Sequence, residues 1–182
     1  VVEIENISKS YEDLDVINKF SMTINSGDRI GIIGENGIGK TTLVKCLIED
    51  NFPDNGTIKW SDNCSIGYFA QNHGDDFKSD TTLMDWMAKY SHKEDDLETI
   101  RGTLGRLLFS QDDINKPVSV LSGGEQRRML FGKIILQRAN VIILDEPTNH
   151  LDMESIEALN HALDIFEGTV IFVSHDLSLI HI

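Results

Sequence analysis

The stretch that decides the fold is Arg29-Ile30-Gly31-Ile32-Ile33-Gly34-Glu35-Asn36-Gly37-Ile38-Gly39-Lys40-Thr41. Its first five residues form a short apolar run, typical of a buried parallel strand. The next eight match the pattern G-x-x-x-x-G-K-[ST], whose backbone wraps phosphates while the lysine reaches the β/γ oxygens and the threonine meets Mg²⁺. A helix is predicted to follow at 41–48. The predicted phosphate-binding residues are Gly34, Asn36, Gly37, Gly39, Lys40, Thr41 and Thr42.

The composition is that of an ordinary globular domain with an acidic surface. The chain has 182 residues, of which 40% are hydrophobic and 25% charged, and its formal net charge is −14. These values favour one domain with a good core. Because non-specific nucleic-acid binding depends on a basic surface, we expect little direct nucleic-acid binding by this chain. Without an apolar run of roughly 20 residues we expect no transmembrane domain. Cys46 and Cys64 lack metal-ligand spacing and indicate reduced thiols in a cytoplasmic protein.

A second anion site is indicated at Leu121-Ser122-Gly123-Gly124-Glu125-Gln126. A hydroxyl and two glycines open a predicted helix here, so free backbone N–H groups and the positive end of the helix dipole converge on one point. That arrangement suits phosphate, although the loop at 34–41 is already a more complete phosphate cradle. Ser122, Gly123 and Gly124 are therefore further candidate nucleotide-binding residues.

Two carboxylates end the apolar segment Val141-Ile142-Ile143-Leu144-Asp145-Glu146. Neighbouring residues on a strand point to opposite sides, so the two carboxylates of such a pair can have different roles. Asp145 is placed to hold Mg²⁺, and Glu146 is placed to take a proton from an attacking water or to orient it. Two acids at a strand end are more often an ordinary strand-to-loop transition. The phosphate loop makes the catalytic interpretation the favoured one.

Two single residues at predicted strand ends fit the same chemistry. Gln71 follows the strand at 65–70, where its amide is placed to sense Mg²⁺ and the attacking water. His175 follows the strand at 170–174, where its imidazole is placed to touch the γ-phosphate. A lone glutamine or histidine at a strand end is usually solvated, so these two are catalytic candidates only because of the surrounding pattern.

The periodicity of the remaining segments predicts an α/β fold. A mainly parallel core sheet flanked by helices is expected because apolar strands alternate with helices in the second half of the chain. The alternating start predicts an N-terminal antiparallel β subdomain. The predicted strands are 2–7, 16–24, 57–60, 65–70, 141–144 and 169–173. The pattern is helical from 82 to about 109, where a second helix is predicted at 97–108, and further helices are predicted at 125–137 and 154–163. We predict one domain over 1–182, with a core of about 1–72 and 136–182 and a helical subdomain of about 73–135.

With these motifs in this order, the chain resembles the nucleotide-binding domain of the ATP-binding-cassette (ABC) superfamily. Residues 121–126 match that family's signature in full, and the resemblance covers the chain to residue 176. It implies a P-loop NTPase fold, ATP and Mg²⁺ as cofactors, and a second cassette whose bound γ-phosphate would face Ser122, Gly123 and Gly124. It also implies that Tyr11 stacks on adenine. Gln71, Leu151-Asp152 and His175 correspond to the Q-loop, the D-loop and the switch histidine.

The run Asp145-Glu146-Pro147-Thr148-Asn149-His150-Leu151-Asp152 is similar to the hallmark of subfamily F. Importer and exporter ATPases usually have small residues at the positions of Asn149 and His150. The segments 67–71 and 106–109 also resemble that group, especially the C-terminal cassette of its bacterial members. Subfamily F proteins are soluble tandem cassettes, and many act on ribosomes. The resemblance therefore implies a cytoplasmic ATPase, slow as an isolated cassette, whose ATP-driven dimer closure is coupled to translation.

Three features depart from the subfamily pattern: there is one cassette, the linker between cassettes is absent, and residues 177–182 leave the pattern. We therefore expect a C-terminally truncated piece of a longer protein. Two other functions stay open. One is the ATPase subunit of an ABC membrane transporter, against which Asn149 and His150 argue. The other is an ATP-dependent binding module in which slow hydrolysis serves as a timer, and the sequence does not separate it from the first function.

Overall fold

The computed structural model divides the chain into two compact units. The structure describes residues 1–12, 14–70, 77–147, 153–164 and 166–174. The first unit contains Val1–Tyr68, Asn140–Glu146 and Glu167–Ile182, and the second contains Phe69–Ala139 and Pro147–Phe166. The sequence-based boundaries of a helical subdomain at about 73–135 stay a prediction.

Strands and helices occur in the predicted order. The strands are β1 (Val2–Tyr11), β2 (Leu14–Ile24), β3 (Arg29–Ile33), β4 (Asn55–Trp60), β5 (Ile66–Phe69), β6 (Val141–Asp145) and β7 (Thr169–Ser174). The α-helices are α1 (Lys40–Leu47), α2 (Leu83–Ala88), α3 (Leu97–Arg106), α4 (Gly123–Leu136) and α5 (Met153–Asp164), with a 3₁₀ turn at Val118–Val120. The predicted α/β class, with an antiparallel sheet, a parallel sheet and helices, is confirmed.

The antiparallel sheet of the first unit has the order β2-β1-β4, so β1 is its central strand. This strand buries Val2, Ile4 and Ile7, none more than 3% exposed. The step from Ile4 to Ile7 is three residues instead of two because the register shifts there, and Asn6 takes a positive φ of 48°. Such a bulge adds a residue and reverses which side chains face inward beyond it.

The second sheet has the order β3-β7-β6-β5. Pairing is parallel between β3 and β7 and between β6 and β7. All five residues of β6 are buried, as expected for a parallel strand covered on both faces. In register, Ile33 lies opposite Ser174 and Asp145 lies opposite Val173. The carboxyl ends of β3 and β6 therefore lie at the same edge of the sheet, on either side of β7, where α/β sheets bind their ligands.

Three helices of the second unit, α2, α3 and α4, begin at side-chain caps. The Thr82 hydroxyl accepts the Asp85 N–H at 3.1 Å, and Asp96 accepts the Thr99 N–H at 2.7 Å. Each cap satisfies an N–H group that the first turn of a helix leaves without a partner. Helix α4 begins at Gly123, two residues before the predicted start, because Ser122 is its N-cap. In the described part of the chain, no helix has the length and apolar character needed to cross a membrane.

Replacing Gly56 with alanine is predicted to destabilise the chain by roughly 2–4 kcal/mol, since left-handed strain adds to overpacking. Gly56 has a φ of +83°, and a Cβ there would overlap the Glu5 carbonyl and the Asn6 backbone. Gly102 in α3 is the matched control, because a Cβ there meets nothing within 4 Å. Its alanine variant should gain about 0.5–1 kcal/mol of helix stability. Urea unfolding measures both, and equal midpoints would contradict the prediction.

Candidate functional site

The phosphate loop between β3 and α1 depends on two glycines in left-handed conformations. Gly37 has a φ of 85° and Gly39 a φ of 108°. Gly39 is the N-cap of α1, and its carbonyl accepts the Leu43 N–H at 2.9 Å. A Cβ at Gly39 would lie 2.6 Å from Val16 Cγ1. The loop therefore brings the backbone N–H groups at the start of α1 to the sheet edge, the arrangement that binds phosphate.

Lys40 is a buried cation held over this loop. Its side chain is largely covered, with the whole residue 9% exposed. Its ammonium donates to the carbonyls of Gly34 at 2.5 Å and Glu35 at 2.9 Å. A lysine ammonium has three donors, so this geometry fixes the charge inside the loop. The Thr41 hydroxyl group belongs to the next residue of α1, which is exposed to solvent.

Asp145, at the end of β6, is a carboxylate with an unsatisfied oxygen. The residue is 1% exposed, and its Oδ1 has no hydrogen-bond partner. Burial, and then the neighbouring Glu146, raise the pKa of Asp145, while Lys40 and the Tyr68 hydroxyl act in the opposite direction. Burial and Asp145 together raise the pKa of Tyr68 to about 12, so the phenol stays a donor to the carboxylate.

The donor set fits Mg²⁺. This ion prefers oxygen ligands and usually keeps several waters while using one or two carboxylates and the phosphates of a substrate. The described residues contain no group of three or more His, Cys, Asp or Glu side chains that could hold a metal. The buried, unsatisfied Asp145 oxygen lies at the end of β6, and the Thr41 hydroxyl lies at the start of α1, which follows the phosphate loop from the same edge of the sheet. Those two residues would hold Mg²⁺ together with the phosphates.

Glu146 is held in an uncommon backbone conformation. It is 6% exposed and has a positive φ of 50°, and its N–H donates to the Val173 carbonyl at 2.9 Å. A non-glycine residue in this region costs about 1–3 kcal/mol and persists only where its surroundings hold it, often at functional sites. Strand β6 ends at Asp145, and the left-handed backbone of Glu146 redirects the chain directly after it.

The signature residues open α4 in the second unit through a capping box. The Ser122 hydroxyl accepts the Glu125 N–H at 3.3 Å, and the Glu125 carboxylate accepts the Ser122 N–H at 2.8 Å. Ser122 and Gly123 are exposed. The N–H groups of Gly123 and Gly124 lie in the first turn and have no acceptor within the helix. They are the donors available to an anion.

Tyr11 lies at the end of β1 and is 44% exposed. Its hydroxyl accepts a hydrogen bond from Asn51 Nδ2 at 2.7 Å, and Lys9 Nζ lies 5.7 Å from the centre of its ring. An exposed ring face is compatible with base stacking, but the adenine role stays a prediction. Gln71, His175, and the segment 148–152 that contains Asn149 and His150 lie outside the described residues.

Tyr68 is a site residue that sequence reasoning missed. Its contact with Asp145 depends on β5 lying next to β6 in the sheet, and these strands are more than 70 residues apart in the chain. The only local signal was an aromatic residue near the end of a short strand, which usually means packing. The contact keeps one carboxylate oxygen of Asp145 engaged and leaves the other available.

Asp145→Asn is predicted to raise the free energy of unfolding at pH 7 by about 1–3 kcal/mol, because the amide removes a buried negative charge that burial and Glu146 disfavour. Because the folded pKa is raised above 3.8, ionisation destabilises the fold increasingly with pH until the raised pKa is passed. The increase in the free energy of unfolding caused by the substitution should therefore shrink as the pH falls through that pKa. Exposed Asp62→Asn is the control. Urea midpoints between pH 4 and 8 test this, and a pH-independent difference would contradict it.

A phosphate loop whose sheet edge also carries a buried carboxylate is the arrangement found in P-loop nucleotide-binding proteins. Within that class, the sequence profile of the ABC transporter family matches residues 17–149. The chain therefore belongs to the ABC transporter family and is an ATP-binding domain of the ATPase type. The predicted recognition of an ABC cassette is confirmed, and so is its ATPase class.

The chain is similar to bacterial ATP-binding proteins over nearly its whole length. It is 51% identical over 175 residues to "Probable ATP-binding protein YbiT" of Escherichia coli O157:H7, covering 96% of this chain and 33% of YbiT. It is 41% identical over 177 residues to "Uncharacterized ABC transporter ATP-binding protein YkpA" of Bacillus subtilis, covering 97% of this chain and 33% of YkpA. The chain thus spans about a third of the length of these curated relatives.

The fold is shared with solved ABC structures. Superposition on an ABC-transporter-type ATP-binding protein from Pyrococcus furiosus gives a TM-score of 0.80 at 25% sequence identity. The match covers 96% of this chain and 91% of that chain. The predicted P-loop ABC fold is therefore confirmed.

Proposed function

We propose that this chain is one cassette of a subfamily F ATPase, in which ATP-driven closure against a second cassette acts on the translating ribosome in the cytoplasm. The observation that carries the ATPase part is the buried, unsatisfied carboxylate of Asp145 at the sheet edge where the phosphate loop begins. The run 145–152, with Asn149 and His150, favours subfamily F over transporter ATPases. The 51% identity to YbiT, a protein about three times as long, supports a larger parent protein.

Hydrolysis at this site needs positioning and charge neutralisation more than covalent chemistry. Mg²⁺, when bound, neutralises charge on the β- and γ-phosphates. The start of α1 binds the phosphates through backbone N–H groups, and Lys40 places a cation inside the loop. Glu146 accepts the proton of the attacking water or orients that water. We assign Gln71 to sensing Mg²⁺ and water and His175 to the γ-phosphate, on the sequence pattern.

A second cassette completes the site in this proposal. The N–H groups of Gly123 and Gly124 and the Ser122 hydroxyl would bind the γ-phosphate held by the partner cassette. The γ-phosphate then favours the closed pair because it makes contacts in the closed state that are missing in the open state. An isolated cassette lacks the partner's signature, so we expect it to bind ATP weakly and hydrolyse it slowly.

Coupling to the ribosome would require contacts outside this chain. A formal net charge of −14 makes the chain a poor partner for RNA phosphates by itself. In this proposal the cassette supplies the ATP-dependent change of shape, and other parts of the protein contact the ribosome.

A transporter ATPase is the second candidate function. The family's description and the name of YkpA both refer to ABC transporters. Asn149 and His150 argue against this role, since transporter ATPases usually carry small residues there. A membrane partner, instead of the ribosome, is what this candidate requires.

Glu146→Gln should lower the rate of ATP hydrolysis by about 100-fold or more, the range for losing a general base. The dissociation constant for Mg-ATP should change less than about threefold, since the amide keeps the shape of the side chain. Exposed Glu3→Gln is the matched control and should hydrolyse ATP as the parent chain does. Sedimentation with ATP should show the Glu146→Gln chain as dimers. An unchanged hydrolysis rate would refute the assigned role of Glu146.

The protein that carries this chain should co-sediment with ribosomes when it has the Glu146→Gln substitution and ATP, because closed cassettes accumulate when hydrolysis is blocked. ADP should abolish co-sedimentation. Sedimentation with membrane vesicles, run in parallel, tests the transporter alternative. Recovery with vesicles and not with ribosomes would favour the second candidate function, and recovery with neither would reject the ribosome proposal.

A further inference from the structure

Arg127 is a buried arginine in α4, five residues after Ser122. The residue is 6% exposed and lies in the second unit. Burial lowers the pKa of its guanidinium, which nevertheless stays protonated at physiological pH. A buried cation is costly unless its donors find acceptors. What the guanidinium contacts therefore indicates why an arginine is present.

The guanidinium has two described contacts within its own unit. Nη1 donates to the Pro147 carbonyl at 3.2 Å. The guanidinium carbon lies 5.8 Å from the centre of the Phe69 ring, within range of a cation–π interaction. Phe69 in turn stacks on Phe131 of α4, with ring centres 4.5 Å apart and planes 8° from parallel. The cation is thus fixed between a ring pair and one backbone carbonyl.

Both contacts fall next to predicted catalytic residues in the sequence. Pro147 directly follows Glu146, and Phe69 precedes Gln71 by two residues. The proline ring fixes φ of Pro147, so the direction of its carbonyl depends on ψ alone. A hydrogen bond to that carbonyl therefore restrains the chain immediately after Glu146. Glu146 itself has a positive φ of 50°, a conformation that its surroundings must hold.

We propose that Arg127 is a positioning residue for ATP hydrolysis, holding Pro147, the residue directly after Glu146, through the Pro147 carbonyl while Phe69 fixes the guanidinium. The inference rests on the proposed catalytic role of Glu146. Helix α4 would then have two functions: its first residues are the signature, and its Arg127 restrains the residue that follows Glu146. Arg127 does not touch the reacting atoms, so its effect should appear in the rate of the chemical step and not in ATP affinity.

A purely structural role makes a different prediction. If Arg127 only filled space, a methionine, which has an unbranched apolar stem, should be neutral for both stability and activity. If the cation mattered only for stability, Arg127→Met should lower the melting temperature, and the loss of activity should follow the loss of folded protein. Replacing a buried ion with an apolar side chain of similar volume is often neutral or stabilising. The melting temperature and kcat, measured together, therefore distinguish a structural role of Arg127 from a positioning role.

The test compares the parent chain with Arg127→Met, Arg127→Lys and the exposed-helix control Arg101→Met. We measure kcat and KM for Mg-ATP, the dissociation constant for ATP, and the melting temperature. Arg127→Met should lower kcat roughly tenfold, the scale for one hydrogen bond to a charged group, with an unchanged dissociation constant. Arg127→Lys keeps one donor and should recover part of kcat. Arg101→Met should match the parent.

A readout independent of hydrolysis is amide hydrogen exchange in a peptide that covers residues 141–147. Arg127→Met should raise the exchange rate in that peptide, and Arg101→Met should leave it unchanged. If Arg127→Met does not fold, the Arg127→Lys variant decides the outcome through the same kcat and exchange measurements.

Each outcome has one meaning. Parent-like kcat and parent-like exchange in the Arg127 variants, with hydrolysis abolished by Glu146→Gln, overturn this inference and leave the proposed function in place. A tenfold fall in kcat that is matched by an equal fall in ATP affinity also overturns it. A parent chain whose hydrolysis is insensitive to Glu146→Gln overturns the proposed function and the inference together.

Discussion

The parallel pairing of β7 with both β3 and β6 is the constraint on which the site depends. Ile33, the last residue before the phosphate loop, lies opposite Ser174, and Asp145 lies opposite Val173. A slip of β6 by one residue would turn Asp145 to the other face of the sheet. Because all of β6 is buried, the apolar core on both faces fixes the register. Core packing thereby sets the position of a carboxylate that contributes nothing to the core.

Three groups at this edge of the sheet lower the stability of the fold. Asp145 has an unsatisfied buried oxygen, Glu146 has a left-handed backbone, and Lys40 is a nearly buried cation. Each is destabilising in a chain without a ligand, and each is placed to interact with a phosphate, a hard cation or a water molecule. Sites that keep such groups give up stability for function, which is why local rules of sequence design fail there.

The features that could be predicted from the sequence are those set by residues close together in the chain. The phosphate loop, α1 and the carboxylate pair follow from short motifs between apolar strands, and the structure places them at one sheet edge. The hydroxyl and glycines at 122–124 predicted where α4 opens, but the apolar periodicity placed its first helical residue at 125, two residues late, because periodicity does not register a capping box. The shift at Asn6 and the contact between Tyr68 and Asp145 depend on strand pairings that no local pattern encodes. Arg127 was missed because an arginine in an amphipathic helix normally faces solvent.

The capping box also bears on how the signature can bind phosphate. The Ser122 hydroxyl accepts the Glu125 N–H but keeps its own hydrogen, which it can still donate to an anion. The Glu125 carboxylate, bonded to the Ser122 N–H, adds a negative charge beside the positive end of the α4 dipole. The Glu125 carboxylate thus partly neutralises the positive end of the α4 dipole, which makes the start of α4 a weak site for free phosphate. It is better suited to complement a phosphate that a lysine-bearing loop already holds, which is the role proposed for it in a pair of cassettes.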